Sequence, residues 1–121
     1  MSKAHEFGRW GEDKAANYLA QLGYRIHERN WRGGEGEIDI LAQHGEELVV
    51  VEVKTRAEPV DGDEFMRDAQ AHRLLDAAEI WMEQKEMEAE LRCDLLLVVG
   101  NAQNYRIKHI EDAWRGGPQE I

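Results

Sequence analysis

The sequence predicts an α/β fold, and three observations predict it. A segment with helical spacing comes first, three segments with strand alternation follow, and a long helical segment then leads into two more strands. The segment 48–55 is apolar on both faces for most of its length, as a strand in the middle of a covered sheet must be. With 121 residues, 42% of them hydrophobic, the chain suits one domain with a real core. That domain is predicted to span residues 1–115, with 116–121 as a frayed C-terminal tail.

The first helix is predicted over 9–22, where Ala15, Ala16, Leu19 and Leu22 recur at spacings of three and four and Gly23 supplies the stop. Glu12 shares the buried-leaning stripe of that helix, which is unusual for a carboxylate without a partner. Residues 24–31 read as a short strand that becomes irregular from His27 to Asn30, and 32–36 as a glycine-rich turn. Residues 37–42 alternate, with Ile38, Ile40 and Ala42 on one face and Glu37, Asp39 and Leu41 on the other. A five-residue loop, 43–47, then leads to the strand 48–55. Residues 58–62 form a loop, 63–91 have helical spacing, 93–99 form an apolar strand broken only by Asp94, and 105–110 form the last strand. One further helical turn is predicted over 111–114.

Composition bounds the function. A single cysteine excludes an internal disulfide framework, and Cys93 in its apolar run reads as a reduced core residue. The absence of a membrane-length apolar run and of an apolar N-terminal leader predicts a soluble, cytoplasmic protein with no membrane partner. The net charge of −10 opposes a nucleic-acid partner, which calls for a basic footprint. Its distribution softens that objection. Through Ala57 there are eight basic and ten acidic residues; from Glu58 onward there are seven and fifteen.

The residues that carry chemistry are Asp39, Glu52 and Lys54. Glu52 and Lys54 are two apart and project from one strand face, while Asp39 lies on the preceding strand. With a five-residue loop, Ala42 pairs with Leu48 and Asp39 falls opposite Val51, so contact with Glu52 needs a bulge or a register shift. Two carboxylates and a backbone carbonyl form a hard-oxygen set suited to Mg²⁺ or Mn²⁺. Such a metal assists phosphodiester hydrolysis, and Lys54 would orient water or neutralise developing charge. Glu12 is a further candidate ligand and Glu37 an outer-shell partner. Each charge alone could be an ordinary strand-end ion pair. Together, on strands flanked by Ile38, Ile40, Val51 and Val53, they would be buried charges in need of compensation.

These residues match a known pattern. Gly36-Glu37-Ile38-Asp39-Ile40-Leu41-Ala42 followed by Val51-Glu52-Val53-Lys54-Thr55-Arg56 resembles the PD-(D/E)xK nuclease signature. More narrowly, the chain is similar to the YraN-like family of small bacterial proteins, which resemble archaeal Holliday-junction resolvases. Gly8-x-x-Gly11-Glu12-x-x-Ala15, Leu19, Gly23-Tyr24, Arg29-Asn30-Trp31 and Arg92-Cys93-Asp94 extend the match over nearly the whole chain. The resemblance implies a restriction-endonuclease-like αβββαβ core, with a mixed central sheet flanked by helices. It maps Asp39, Glu52 and Lys54 onto the nuclease motif and Glu12 onto its first-helix acidic position. It also implies a nucleic-acid partner, DNA above all, and a homodimer where a symmetric junction is cut. The chain departs from the pattern at the second helix, where Gln70 stands in place of an expected lysine.

Arg9, Arg29, Arg32, Arg56 and Arg73, with Lys54, are the candidate phosphate contacts. His5, His27, His44, His72 and His109 show no zinc-ligand spacing. Trp81 reads as core, and Trp31 as packing rather than a base-stacking platform. The expectation is a Mg²⁺-dependent endonuclease acting on DNA, branched DNA included. The alternative is a non-catalytic nucleic-acid- or protein-binding module that keeps the nuclease fold.

Overall fold

The computed structural model describes residues 2–114; the tail predicted over 116–121 lies outside them. Its elements are α1 (Lys3–Gln21), β1 (Arg25–Gly33), β2 (Gly36–His44), β3 (Glu47–Arg56), α2 (Asp68–Gln84), β4 (Glu90–Asn101) and β5 (Asn104–Ile110). The five strands form one mixed sheet in the order β1-β2-β3-β4-β5, parallel only between β3 and β4. This is the predicted α/β class, compatible with a restriction-endonuclease-like core. No helix among the described residues is long and apolar enough to cross a membrane.

The two helices cover opposite faces. Ala15 and Leu19 of α1 pack with Ile40, Ala42, Val49, Val51, Leu96 and Val98. Ala71, Leu74, Ala77, Ala78 and Trp81 of α2 pack with Ile38, Leu41, Leu48, Val50 and Cys93. Strand β3 contributes to both cores, so it is the two-sided central strand its apolar run requires. Trp31 packs against the α2-side core, and Trp81 donates from Nε1 to Glu28 Oε2 at 3.0 Å.

Several boundaries move, each for a local reason. Helix α1 starts six residues before the predicted position because Ser2 caps it, accepting from the His5 N–H at 3.0 Å. Its first turn, residues 3–6, is exposed and carries no apolar stripe to read. Helix α2 is much shorter than 63–91. Glu86 takes φ 51° and the Met87 N–H bonds to the Met82 carbonyl, which turns the chain out of the helix. Residues 111–114 form a turn, not a helical turn. The β2–β3 hairpin closes through Gly45 and Glu46 alone, with Gly45 at φ 62°, rather than through five residues.

That tighter turn resets the register. His44 pairs with Glu47, Ala42 with Val49 and Ile40 with Val51, one residue away from the predicted pairing. Carried one step further, that register would set Asp39 opposite Glu52, but the pairing stops at Ile40 and Val51. The irregularity lies in β2 itself. Ile38 belongs to the α2-side core and Ile40 to the α1-side core, although a regular strand would keep both on one face. The strand rotates through Asp39, and Asn30, across from it on β1, sits in the left-handed region at φ 52°.

Two glycines allow the layers to approach. A Cβ on Gly11 would meet Thr55 Oγ1 at 1.9 Å, so α1 rests directly on β3. At Gly36 a Cβ would meet the Arg73 carbonyl oxygen at 2.3 Å, so α2 lies against the start of β2.

Candidate metal and nucleic-acid site

The site lies where β2 and β3 part. Regular pairing ends at Ile40 and Val51, and beyond it Asp39 reaches across the fork to accept the Val53 N–H through Oδ2 at 2.9 Å. A side chain thus takes the place of a ladder carbonyl and leaves Asp39 in the gap between the strands. Glu52 points to the α2 face, where Oε1 accepts a hydrogen bond from Gln70 Nε2. Glu12 approaches from the α1 face, carried there by the close seat of Gly11 on Thr55.

The structure therefore gathers Asp39, Glu52, Glu12 and Glu37 within electrostatic reach of one another. Burial pushes the Asp39 carboxyl up; the Val53 N–H opposes this, and Glu12, Glu52 and Glu37 reinforce it, to about 7. Burial also raises Glu52, against the opposing influence of Lys54, the Gln70 hydrogen bond, Arg56 and Arg73. Among the described residues, no three His, Cys, Asp or Glu side chains converge into a ready-made metal cage. What is present is an acidic pair with one oxygen hydrogen-bonded on each member, leaving Asp39 Oδ1 and Glu52 Oε2. Those oxygens are hard donors, Asp39 has no cation among the charges acting on it, and the pair suits a Mg²⁺ or Mn²⁺ ion that keeps part of its water shell.

Lys54 and Arg56 turn toward an acid that sequence reasoning missed. Asp63, nearly buried at 9% exposure, accepts from Lys54 Nζ at 3.4 Å and from Arg56 Nε at 3.0 Å. Helical spacing predicts a helix from residue 63, but Asp63 lies in a turn ahead of α2. The remaining candidate phosphate contacts divide. Arg29 pairs with Asp13 at 2.8 Å and lies 4.0 Å from Glu12, and Arg32 pairs with Glu37 at 3.6 Å. Arg9 lines an open cleft with Glu12, Asn30 and Glu37, and Arg73 stands on α2 within reach of the Glu52 charge.

A second polar cluster surrounds Asp94, which in the sequence interrupts an apolar run and belongs to the Arg92-Cys93-Asp94 piece of the family resemblance. Arg92 grips Asp94 through Nε and Nη2, both at 2.8 Å, and also bonds Glu47 and the Tyr24 hydroxyl. His109 Nε2 lies 2.7 Å from Asp94 Oδ2, and the Asp112 N–H donates to Oδ1 at 3.0 Å. The available signal was Arg92 and Asp94 two apart on one face of a buried strand. Neighbouring Cys93 is pushed up to about 12, by burial first and then by Asp94 and Asp112, so it is an inert core thiol.

Comparison with known proteins identifies the family. Residues 11–98 match the description "Uncharacterised protein family UPF0102". A UPF0102 protein of Bacteroides thetaiotaomicron is 38% identical over 116 residues, covering 94% of this chain and 96% of that protein. One from Phocaeicola vulgatus is 35% identical with the same coverage, and one from Nitratidesulfovibrio vulgaris is 38% identical over 91% of this chain and 84% of that protein. The matched span holds α1 from Gly11, the Asp39–Glu52 fork and the Arg92–Asp94 pair. The chain belongs to the uncharacterised protein family UPF0102.

Proposed function

We propose that the chain is a metal-dependent endonuclease that hydrolyses phosphodiester bonds in DNA, branched DNA included. The observation that carries this reading is the Asp39 carboxyl at the strand fork, held by the Val53 N–H with Glu12, Glu52 and Glu37 around it and short of positive charge. Asp39 and Glu52 would hold Mg²⁺ or Mn²⁺, with Glu12 as a further ligand and Glu37 behind them. When bound, the metal supplies Lewis-acid polarisation of the scissile phosphate. The chain's own residues do the rest. The Val53 N–H fixes the Asp39 carboxylate, and Gln70 fixes Glu52. Lys54 Nζ, once released from Asp63, donates hydrogen bonds to a phosphoryl oxygen or to the attacking water. Arg56 and Arg73, near Glu52, hold the flanking phosphates.

The test is cleavage of linear, flap and four-way DNA in Mg²⁺, Mn²⁺ and EDTA by wild type and Asp39→Ala. Metal-dependent cutting lost in the variant supports the reading. No cutting of any substrate, or cutting that survives the substitution, overturns it.

A second reading is a non-catalytic binding module that keeps the fold. It is favoured by Gln70 on Glu52 and Asp63 on Lys54, which engage both members of the motif on β3. Calorimetric Mn²⁺ titration separates the two: a site lost in Glu52→Ala belongs to the enzyme, and no site belongs to the module.

A further inference from the structure

The face of the sheet that carries Glu52 and Lys54 continues across β4 to β5, and α2 does not cover its far end. There the third apolar cluster, Leu95 and Leu97 with Ala113, is closed by the segment after β5 instead. The strand registers fix what lies on this face. Lys54 pairs with Leu97 and Leu97 with Lys108; Arg56 pairs with Val99 and Val99 with Arg106. Directly opposed residues share a face. Two rows therefore form, each with a cation at either end and an aliphatic side chain between. From β3 to β5 is about 10 Å and from row to row about 7 Å.

Two facts separate this patch from ordinary surface charge. The chain carries a net charge of −10, and most of the excess lies in the half that contains Arg106 and Lys108, yet four cations meet here. Arg106 and Lys108 are exposed, and among the described residues neither has a carboxylate partner. A cavity of about 290 Å³ opens beside them, lined by Arg56, Asp63, Leu97, Val99, Arg106 and Lys108. Two carboxylates, Asp63 and Glu64, line it. Asp63 bridges Lys54 and Arg56 from a loop whose Val60 and Phe65 are 49% and 63% exposed.

We infer that Lys54, Arg56, Arg106 and Lys108 form a track for a nucleic-acid phosphodiester backbone, and that Asp63 occupies the place of one substrate phosphate until the strand displaces it. This rests on the proposed nucleic-acid substrate and extends it by naming the path. A phosphate offers the acceptor oxygens that Asp63 now supplies, and arginine at two of the four positions suits it. The repeat of cations at strand-residue intervals fits a polymer with regularly spaced charge, and the aliphatic strip between them gives sugars and bases an apolar floor.

The experiment is fluorescence anisotropy of labelled single-stranded and duplex DNA of about 20 nucleotides with the full chain, in EDTA, between about 50 and 200 mM salt. Removing both exposed cations, Arg106→Ala with Lys108→Ala, should lower the slope of log affinity against log salt by about 1.4 on the single strand or about 1.8 on the duplex. Asp63→Asn should tighten binding and steepen that slope, because it frees Lys54 and Arg56. The double variant changes exposed side chains only and should melt as wild type does. Wild-type binding with an unchanged slope in the double variant overturns the track and leaves the nuclease reading standing. Displacement of DNA by polyglutamate of matched charge at equal concentration also overturns it. No wild-type binding to either probe at low salt overturns both. Intact binding without cleavage strikes the proposed activity alone.

Discussion

Asp39 and Asp94 are both aspartates on interior strands, β2 and β4, and their surroundings push them in opposite directions. Around Asp94, burial raises the carboxyl, but hydrogen bonds from His109, Arg92 and the Asp112 N–H outweigh it and hold it below the usual carboxylate range. Around Asp39, burial is opposed by one backbone N–H and reinforced by three glutamates. Asp94 is fully buried and compensated. Asp39 is compensated in hydrogen bonding on one oxygen and uncompensated in charge. Compensated buried charge fixes a fold, whereas a cluster of like charge costs stability and is a candidate for work on a ligand.

The largest test of this contrast is to remove the compensated acid. Asp94→Ala leaves the Arg92 guanidinium buried without its bidentate partner and should cost about 3–5 kcal/mol in urea unfolding at pH 7. Next comes the packing that brings Glu12 to Asp39. Gly11→Ala drives a methyl into Thr55 and should cost about 2 kcal/mol, while moving α1 outward and lowering the pH at which Asp39 titrates.

A smaller effect has the opposite sign. Asp39→Asn keeps an acceptor for Val53 but removes the like-charge repulsion, and should gain about 1.5 kcal/mol at pH 8. The pH dependence follows from the direction of the shift. With its folded pKa raised to about 7, Asp39 binds a proton more readily in the folded state. Wild-type stability from this group therefore falls as pH rises from the ordinary aspartate range, about 4, to about 7, then levels off. The Asn variant should show no gain at pH 5. Asp94 runs the other way: its lowered carboxyl contributes stability above the ordinary aspartate range, lost as pH falls through and below it. The smallest effect is on the proposed ion. Protons compete with it at Asp39, so Mn²⁺ affinity by calorimetry should drop about tenfold from pH 8 to pH 6.

Much of this architecture is legible in residue order. The apolar double face of 48–55 identifies the central strand, and the i, i+2 pair Glu52 and Lys54 shares a face whatever the rest of the chain does. What depends on one turn residue is not legible. Whether 43–47 forms a five-residue loop or a two-residue turn decides if Asp39 or Ile40 faces Val51, and the turn at Gly45, with its positive φ, settles it. Partners supplied by distant elements are hidden for the same reason. His109 reaches Asp94 through the β4–β5 register, Asp63 reaches Lys54 from a loop, and Gln70 reaches Glu52 from the first turn of α2. In the sequence Gln70 marks only a missing lysine; in the fold it is the neutral donor that orients a carboxylate. Arg106 and Lys108 show no pattern until strand pairing sets them beside Leu97 and Val99.

The contrast between the two aspartates stands on the charge state of Asp39, which carbon-13 NMR of its carboxyl reads directly. Titrated without metal, the Asp39 resonance should move with a midpoint near 7, and millimolar Mg²⁺ should draw that midpoint downward. A midpoint near the ordinary aspartate value of about 4, unchanged by Mg²⁺, would contradict the account.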